Sequence, residues 1–169
     1  TLLGFIRFVV VVIASVPLIT IQAVMVKWSP RHWWHFAGLW HRTVCRILGI
    51  RITIRGRIRH HGPVLYTANH ISWLDILILG GVLENASFIA KSEMASWGIV
   101  GKLCALHKTI FVNRSRRTDS ARQRDALTAR VQEGHSLILF PEGTSTDGIH
   151  VASFKSALFS VAERADEAY

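Results

Sequence analysis

Acidic residues are missing from the first 74 positions of this chain: neither aspartate nor glutamate occurs before Asp75. The same stretch carries nine basic residues, Arg7, Lys27, Arg31, Arg42, Arg46, Arg51, Arg55, Arg57 and Arg59. The remaining eleven Lys and Arg share the rest of the chain with all eleven acids, so the formal net charge of +9 is an N-terminal excess. Such a field attracts anions: nucleic acid, anionic lipid head groups or phosphorylated substrates. Cysteine is scarce as well. Cys45 and Cys104 have no C-x-x-C spacing and no histidine cluster beside them, which argues against a disulfide framework or a zinc site and for two buried reduced thiols. Several catalytic signatures are also absent. There is no P-loop, no G-x-G-x-x-G and no H-E-x-x-H, and "GTSTD" (143–147) lacks the second glycine of a nucleophile elbow. His60-His61, beside Gly62-Pro63, reads as a solvated basic pair. General-base chemistry without a covalent enzyme nucleophile is what remains.

Apolar residues are abundant instead. Half of the 169 residues are hydrophobic and the mean hydropathy is positive. That is high for a soluble domain of ordinary size and points to a membrane segment. Residues 8–26, "FVVVVIASVPLITIQAVMV", are nineteen uncharged positions between Arg7 and Lys27, close to the ~20 that a bilayer-spanning helix needs. Pro17 and Gln22 interrupt the run. A proline kinks a membrane helix without ending it, so the segment either spans or re-enters. Lys27-Trp28 follows where a signal peptide would place small residues for cleavage. In "KWSPRHWWHFAGLWHRTVCRILG", Ser29 is expected to cap a helix whose first position is Pro30. Four of the six tryptophans, at 28, 33, 34 and 40, alternate with Arg and His there. That pattern describes an interfacial helix on anionic lipid, and the apolar neighbour favours lipid over nucleic acid. The basic residues after the segment place the main domain on the cytoplasmic side. The expected organisation is membrane and interfacial helices over 1–48 and an α/β domain over 49–169. The chain opens on Thr1 and closes on "ALFSVAERADEAY" with no helix stop, so it reads as a C-terminally truncated piece.

Past Ile50 the period changes. "IRITIRG" alternates apolar and polar residues and predicts a strand with one wet face. "VLYT" (64–67), "SFIA" (87–90), "KTIFVN" (108–113) and "SLILF" (136–140) predict further strands. "LDILILGGVL" and "DSARQRDALTARVQEG" predict helices, the second stopped by Gly134. Strands alternating with helices imply an α/β fold: a mostly parallel sheet flanked by helices.

In such sheets, sites gather at the carboxyl ends of strands. Asn69, His70 and Asp75 follow the strand at 64–67; Asn113 and Arg114 follow that at 108–112; Glu142, Gly143 and Thr144 follow that at 136–140. A histidine side chain can accept a proton near neutral pH, which makes His70 a candidate base. Two readings of it stand: a base with Asp75 fixing its tautomer, or a hydrogen-bonded loop histidine. Asp75 likewise reads as that orienter or as the acid of an S-x-x-D capping box opened by Ser72. A carboxylate has oxygens enough for both.

"NHISWLD" resembles the N-H-x-x-x-x-D motif of the glycerolipid acyltransferases, the family of 1-acylglycerol-3-phosphate acyltransferase. "KSEMASWGIVGKLCALHKTIFVNR" is similar to that family's second block, with Lys91, Gly98 and Arg114 matching, and "LILFPEGTSTDG" resembles its F-P-E-G-T block. The resemblance covers roughly residues 50–160, and an N-terminal hydrophobic segment fits it. The family's fourth, proline-containing block does not follow. The resemblance implies a glycerol-phosphate-acyltransferase-like fold and a membrane-bound O-acyltransferase. Its donor would be an acyl thioester, acyl-CoA or acyl carrier protein, and its acceptor a membrane lysolipid. It implies no cofactor, no metal and no nucleic-acid partner, the thioester being already activated. His70 would take the acceptor's proton and Asp75 orient it, while Asn69, Lys91, Arg114, Glu142, Gly143, Thr144 and Ser145 would face the substrates. Phosphatidic-acid-forming members carry Arg after F-P-E-G-T; here Ser145 follows. Serine offers no charge to a phosphate, and "FPEGTSTDG" is more similar to the lyso-ornithine lipid acyltransferase branch; with Arg114 or Arg116 serving the phosphate instead, lysophosphatidic acid stands as the other acceptor. The competing class, a basic lipid- or nucleic-acid-binding module without catalysis, would use the N-terminal aromatics alone.

Overall fold

Two runs of apolar sequence nucleate two units in the computed structural model, which describes residues 1–29, 32–59, 62–113 and 120–155. One unit comprises Thr1–Arg59 and Trp73–Asn85; the other comprises His60–Ser72 and Ala86–Tyr169.

The first unit is helical. Helix α1 runs Leu2–Trp28, longer at both ends than the apolar stretch, with Pro17 inside it and Thr1 accepting at its N-terminus from Gly4. It is long and apolar enough to cross a membrane. Helix α2, Trp33–Leu48, lies antiparallel to it: Trp40 Nε1 donates to Ser15 Oγ at 2.8 Å, and Arg7 Nη1 donates to the Leu48 carbonyl at 3.1 Å. Arg7 thus places a cation on the carbonyl-rich end of α2, where the helix dipole favours it. Helix α3, Leu74–Val82, packs on α2 through Gly80 and Gly81, whose missing side chains admit His41 and Arg42. Val44, Cys45 and Leu77 form the core of this unit.

The expected start of α2 is corrected. Ser29 closes α1, accepting no capping role for α2, whose N-cap is His32 without a side-chain capping bond. Pro30 lies outside the described residues. The expected strand at "IRITIRG" (50–56) is absent: these residues form no ladder, and all but Ile50 are exposed. Alternation alone does not make a strand, because a ladder needs a neighbour and a face to bury. Ile52 and Ile54 have neither.

The second unit is built on a parallel sheet. Its strands are β1 (Leu65–Thr67), β2 (Ala86–Lys91), β3 (Ile110–Val112) and β4 (Ser136–Leu139), in the order β1-β4-β2-β3. Every pairing is parallel, with Thr67 opposite Leu139, Phe88 opposite Ile138 and Lys91 opposite Val112. β4 is buried along its whole length, as a central strand with both faces covered must be. Helix α5, Ser120–Gln132, contributes Leu127 and Val131 to a core with Ile89, Val112, Leu137 and Leu139. Gly134, at φ +83°, turns the chain from α5 into β4. A 3₁₀ turn at Ser92–Ser96 and helix α4 at Gly98–Leu106 follow β2; the sequence reading did not anticipate α4.

Candidate active site

Parallel pairing puts the carboxyl ends of all four strands on one edge of the sheet. Asn69 and His70 follow β1 there, Lys91 ends β2, Asn113 follows β3, and residues 142–145 follow β4. Because β1 and β4 are neighbours, the loops after them meet. Ala68 N donates to the Leu139 carbonyl at 3.1 Å, the last rung before the two loops begin.

The loop after β4 is shaped around His70. Glu142, only 2% exposed, accepts the His70 N–H through Oε1 at 2.6 Å. Its other oxygen, Oε2, accepts the Ala152 N–H at 2.7 Å. Thr146 answers from the other side: its N–H donates to the His70 carbonyl at 2.8 Å and its Oγ1 does so at 3.3 Å. The imidazole stacks on the Phe140 ring, with centroids 4.2 Å apart and planes inclined by 21°. Stacking takes one face of the ring and leaves its two nitrogens, which act in the ring plane, directed away from Phe140. Phe88 stacks on the Phe140 ring at 6.3 Å and meets His107 in a tilted contact at 5.1 Å. Burial pushes the His107 pKa down to about 4, because the low-dielectric surroundings disfavour the imidazolium.

Two turns hold the rest of the loop. Gly143, at φ +74°, bends the chain so that its N–H reaches the Phe140 carbonyl at 3.1 Å. Asp147 Oδ1 accepts from the backbone N–H groups of Ile149 and His150, which lowers its pKa. Gly148 sits against Ile71, so the two loops also touch through an apolar contact.

Among the expected residues, the structure brings together Asn69, His70, Glu142 and Gly143, with Thr144 and Ser145 exposed on the same loop. Lys91 is exposed at the end of β2. Arg114 lies outside the described residues, as do His60 and His61. Asp75 occupies the first turn of α3, across the boundary between the units, which falls after Ser72. Helix α3 begins at Leu74, with Trp73 at its N-cap making no side-chain capping bond. Thr146 was not anticipated. Its contribution runs through its own backbone N–H as well as its hydroxyl, and sequence pattern does not signal a backbone donor.

The profile of the acyltransferase family matches residues 49–168. The lyso-ornithine lipid O-acyltransferase of Rhizobium meliloti is 38% identical over 139 residues, covering 82% of this chain and 45% of that protein. The corresponding enzyme of Brucella abortus is 38% identical over 97% of this chain and 62% of its own length. A 1-acyl-sn-glycerol-3-phosphate acyltransferase of Neisseria gonorrhoeae is 40% identical over 103 residues, 61% of this chain and 40% of that protein. The chain therefore spans about half the length of these relatives. The crystal structure of the 1-acyl-sn-glycerophosphate acyltransferase PlsC from Thermotoga maritima superimposes with a TM-score of 0.71 over 96% of this chain and 67% of that one, at 21% identity. The fold is shared.

Proposed function

Because this chain belongs to the acyltransferase family, we propose that it moves a fatty acyl group from an acyl thioester to the hydroxyl of a lysolipid at a membrane surface. His70 accepts the hydroxyl proton as the oxygen attacks the thioester carbonyl. The tetrahedral intermediate collapses by breaking the C–S bond, and the thiolate leaves with the proton that His70 returns. Asp75 orients the imidazole and stabilises its charged form. The donor is acyl-CoA or acyl carrier protein. Asn69, Lys91, Arg114, Gly143, Thr144 and Ser145 face the substrates.

The observation that carries this reading is the grip of the post-β4 loop on His70. That loop fixes both peptide groups of His70 and stacks its ring on Phe140. A base held in place before substrate arrives lowers the entropic part of the barrier.

The acceptor in this reading is lyso-ornithine lipid. Ser145 is exposed and uncharged at the position after F-P-E-G-T, and two of the relatives at 38% identity are named for that acceptor. Helix α1 with its basic flanks anchors the protein, and the α/β domain faces the cytoplasm. The test offers the purified full-length protein lyso-ornithine lipid and lysophosphatidic acid with one acyl donor. A higher kcat/KM for lyso-ornithine lipid is expected; a strong preference for lysophosphatidic acid would overturn the acceptor assignment.

A further inference from the structure

We infer that Glu142 serves the reaction by positioning His70 and does not contact the acceptor, an inference that rests on His70 being the base. The geometry leaves the carboxylate little to offer a ligand. Each oxygen is taken by a backbone N–H, His70 on Oε1 and Ala152 on Oε2, at 2.6 and 2.7 Å. Bonds of this length to an ionised acceptor are the strong, charge-assisted kind. The side chain is 2% exposed, whereas Thr144 and Ser145 on the same loop are open to solvent. The polar residues of the loop thus divide the work: Glu142 faces inward on the backbone, and its successors face outward.

The bracket spans the chain. Glu142 ties the loop after β1 to residue 152, the far side of the loop after β4. Between those two anchors, Thr146 holds the His70 carbonyl. His70 is therefore fixed on the N–H side by Glu142 and on the carbonyl side by Thr146. One face of its ring lies on Phe140, so the side chain is positioned as well as the backbone.

The chemistry requires a carboxylate. Two donors converge on one side chain, so both of its terminal atoms must accept. Glutamine has the same shape but supplies one acceptor; its NH₂ would face a backbone N–H. Aspartate has two acceptors but is one methylene short of reaching both amides. Either change should loosen His70 without altering the loop's outward surface.

The experiment compares the full-length protein with Glu142→Gln, Glu142→Asp and Thr146→Val. It reads amide hydrogen exchange at His70 and Ala152 and the kinetic constants for the lysolipid. For Glu142→Gln, exchange at the two amides should rise about tenfold or more. Its kcat should fall on the order of 10²-fold with the acceptor KM within about threefold. Thr146→Val keeps the backbone donor and loses the hydroxyl, so its kcat should fall only a few fold, again at constant KM; Glu142→Asp, charged but a methylene short, should raise exchange at the same two amides and carries the test if Glu142→Gln does not fold. A tenfold rise in KM at unchanged kcat would overturn the inference, as would undisturbed exchange at both amides. If His70→Ala still turned over, the base assignment and the catalytic half of the inference would fall together, while the exchange result would still decide the grip.

Discussion

Asp75 sits where two demands coincide. It is in the first turn of α3, where a negative charge is favoured by the helix dipole, and five residues after His70, in the motif from which its orienting role is proposed. Asp75→Asn separates the two. An amide oxygen still accepts a hydrogen bond, so the thermal midpoint should reflect a loss of less than about 1 kcal/mol. An orienter that must fix a tautomer cannot be replaced by an amide, so kcat should fall on the order of 10³–10⁴-fold. Activity within a few fold of the parent would leave Asp75 as a helix residue only. His107 makes a different prediction. The folded protein keeps it neutral down to about pH 4, whereas the unfolded chain protonates it below about 6.5. The unfolded state therefore binds the extra proton between those values. Stability is full above about pH 6.5 and declines by roughly 3 kcal/mol as the pH falls toward 4. Denaturant titrations at several pH values should show that slope, and His107→Leu should flatten it. At this scale the sequence could nominate His70 and Asp75, because motif spacing is local. It did not reveal the inward role of Glu142, whose partners are backbone N–H groups 72 positions upstream and 10 downstream.

Elements were legible where burial and pattern agreed. β2 and β4 are short apolar runs buried in the sheet, and they appear where the sequence put them. "IRITIRG" had the alternation of a strand without a neighbour to pair with, and it stays irregular. Helix α4 escaped notice because "GIVGKLCAL" is short and opens with two glycines in four residues, a composition that reads as loop. One of those glycines is there for packing. A methyl group at Gly101 would collide with the backbone carbonyl of Ala95 in the preceding 3₁₀ turn. Alanine gains about 1 kcal/mol in helix propensity, but backbone cannot step aside as a flexible side chain can. Gly101→Ala should therefore destabilise the second unit, with overpacking costs of about 1–3 kcal/mol and a lowered midpoint in chemical denaturation. A midpoint at or above the parent's would show that the turn and α4 separate freely.

At the scale of the whole chain, the uneven charge and the apolar N-terminus were legible at once, since composition needs no fold. The partition into units was not. The sequence assigned α3 to the α/β domain, yet the contacts of α3 gather it with α1 and α2, which leaves the sheet, the His70 loop and the post-β4 loop as the other unit. Long-range packing of a helix between Gly80, Gly81 and the His41-Arg42 pair is what decides this, and linear pattern holds no trace of it. The central claim is that the His70 edge of that second unit performs acyl transfer while the N-terminal helices hold the protein to lipid. The measurement that tests it most directly is acyl transfer from a labelled thioester to lysolipid by His70→Ala, run beside vesicle binding by the same protein. The account predicts that transfer falls by about 10³-fold or more while vesicle binding is unchanged. Transfer at the parent's rate would contradict it.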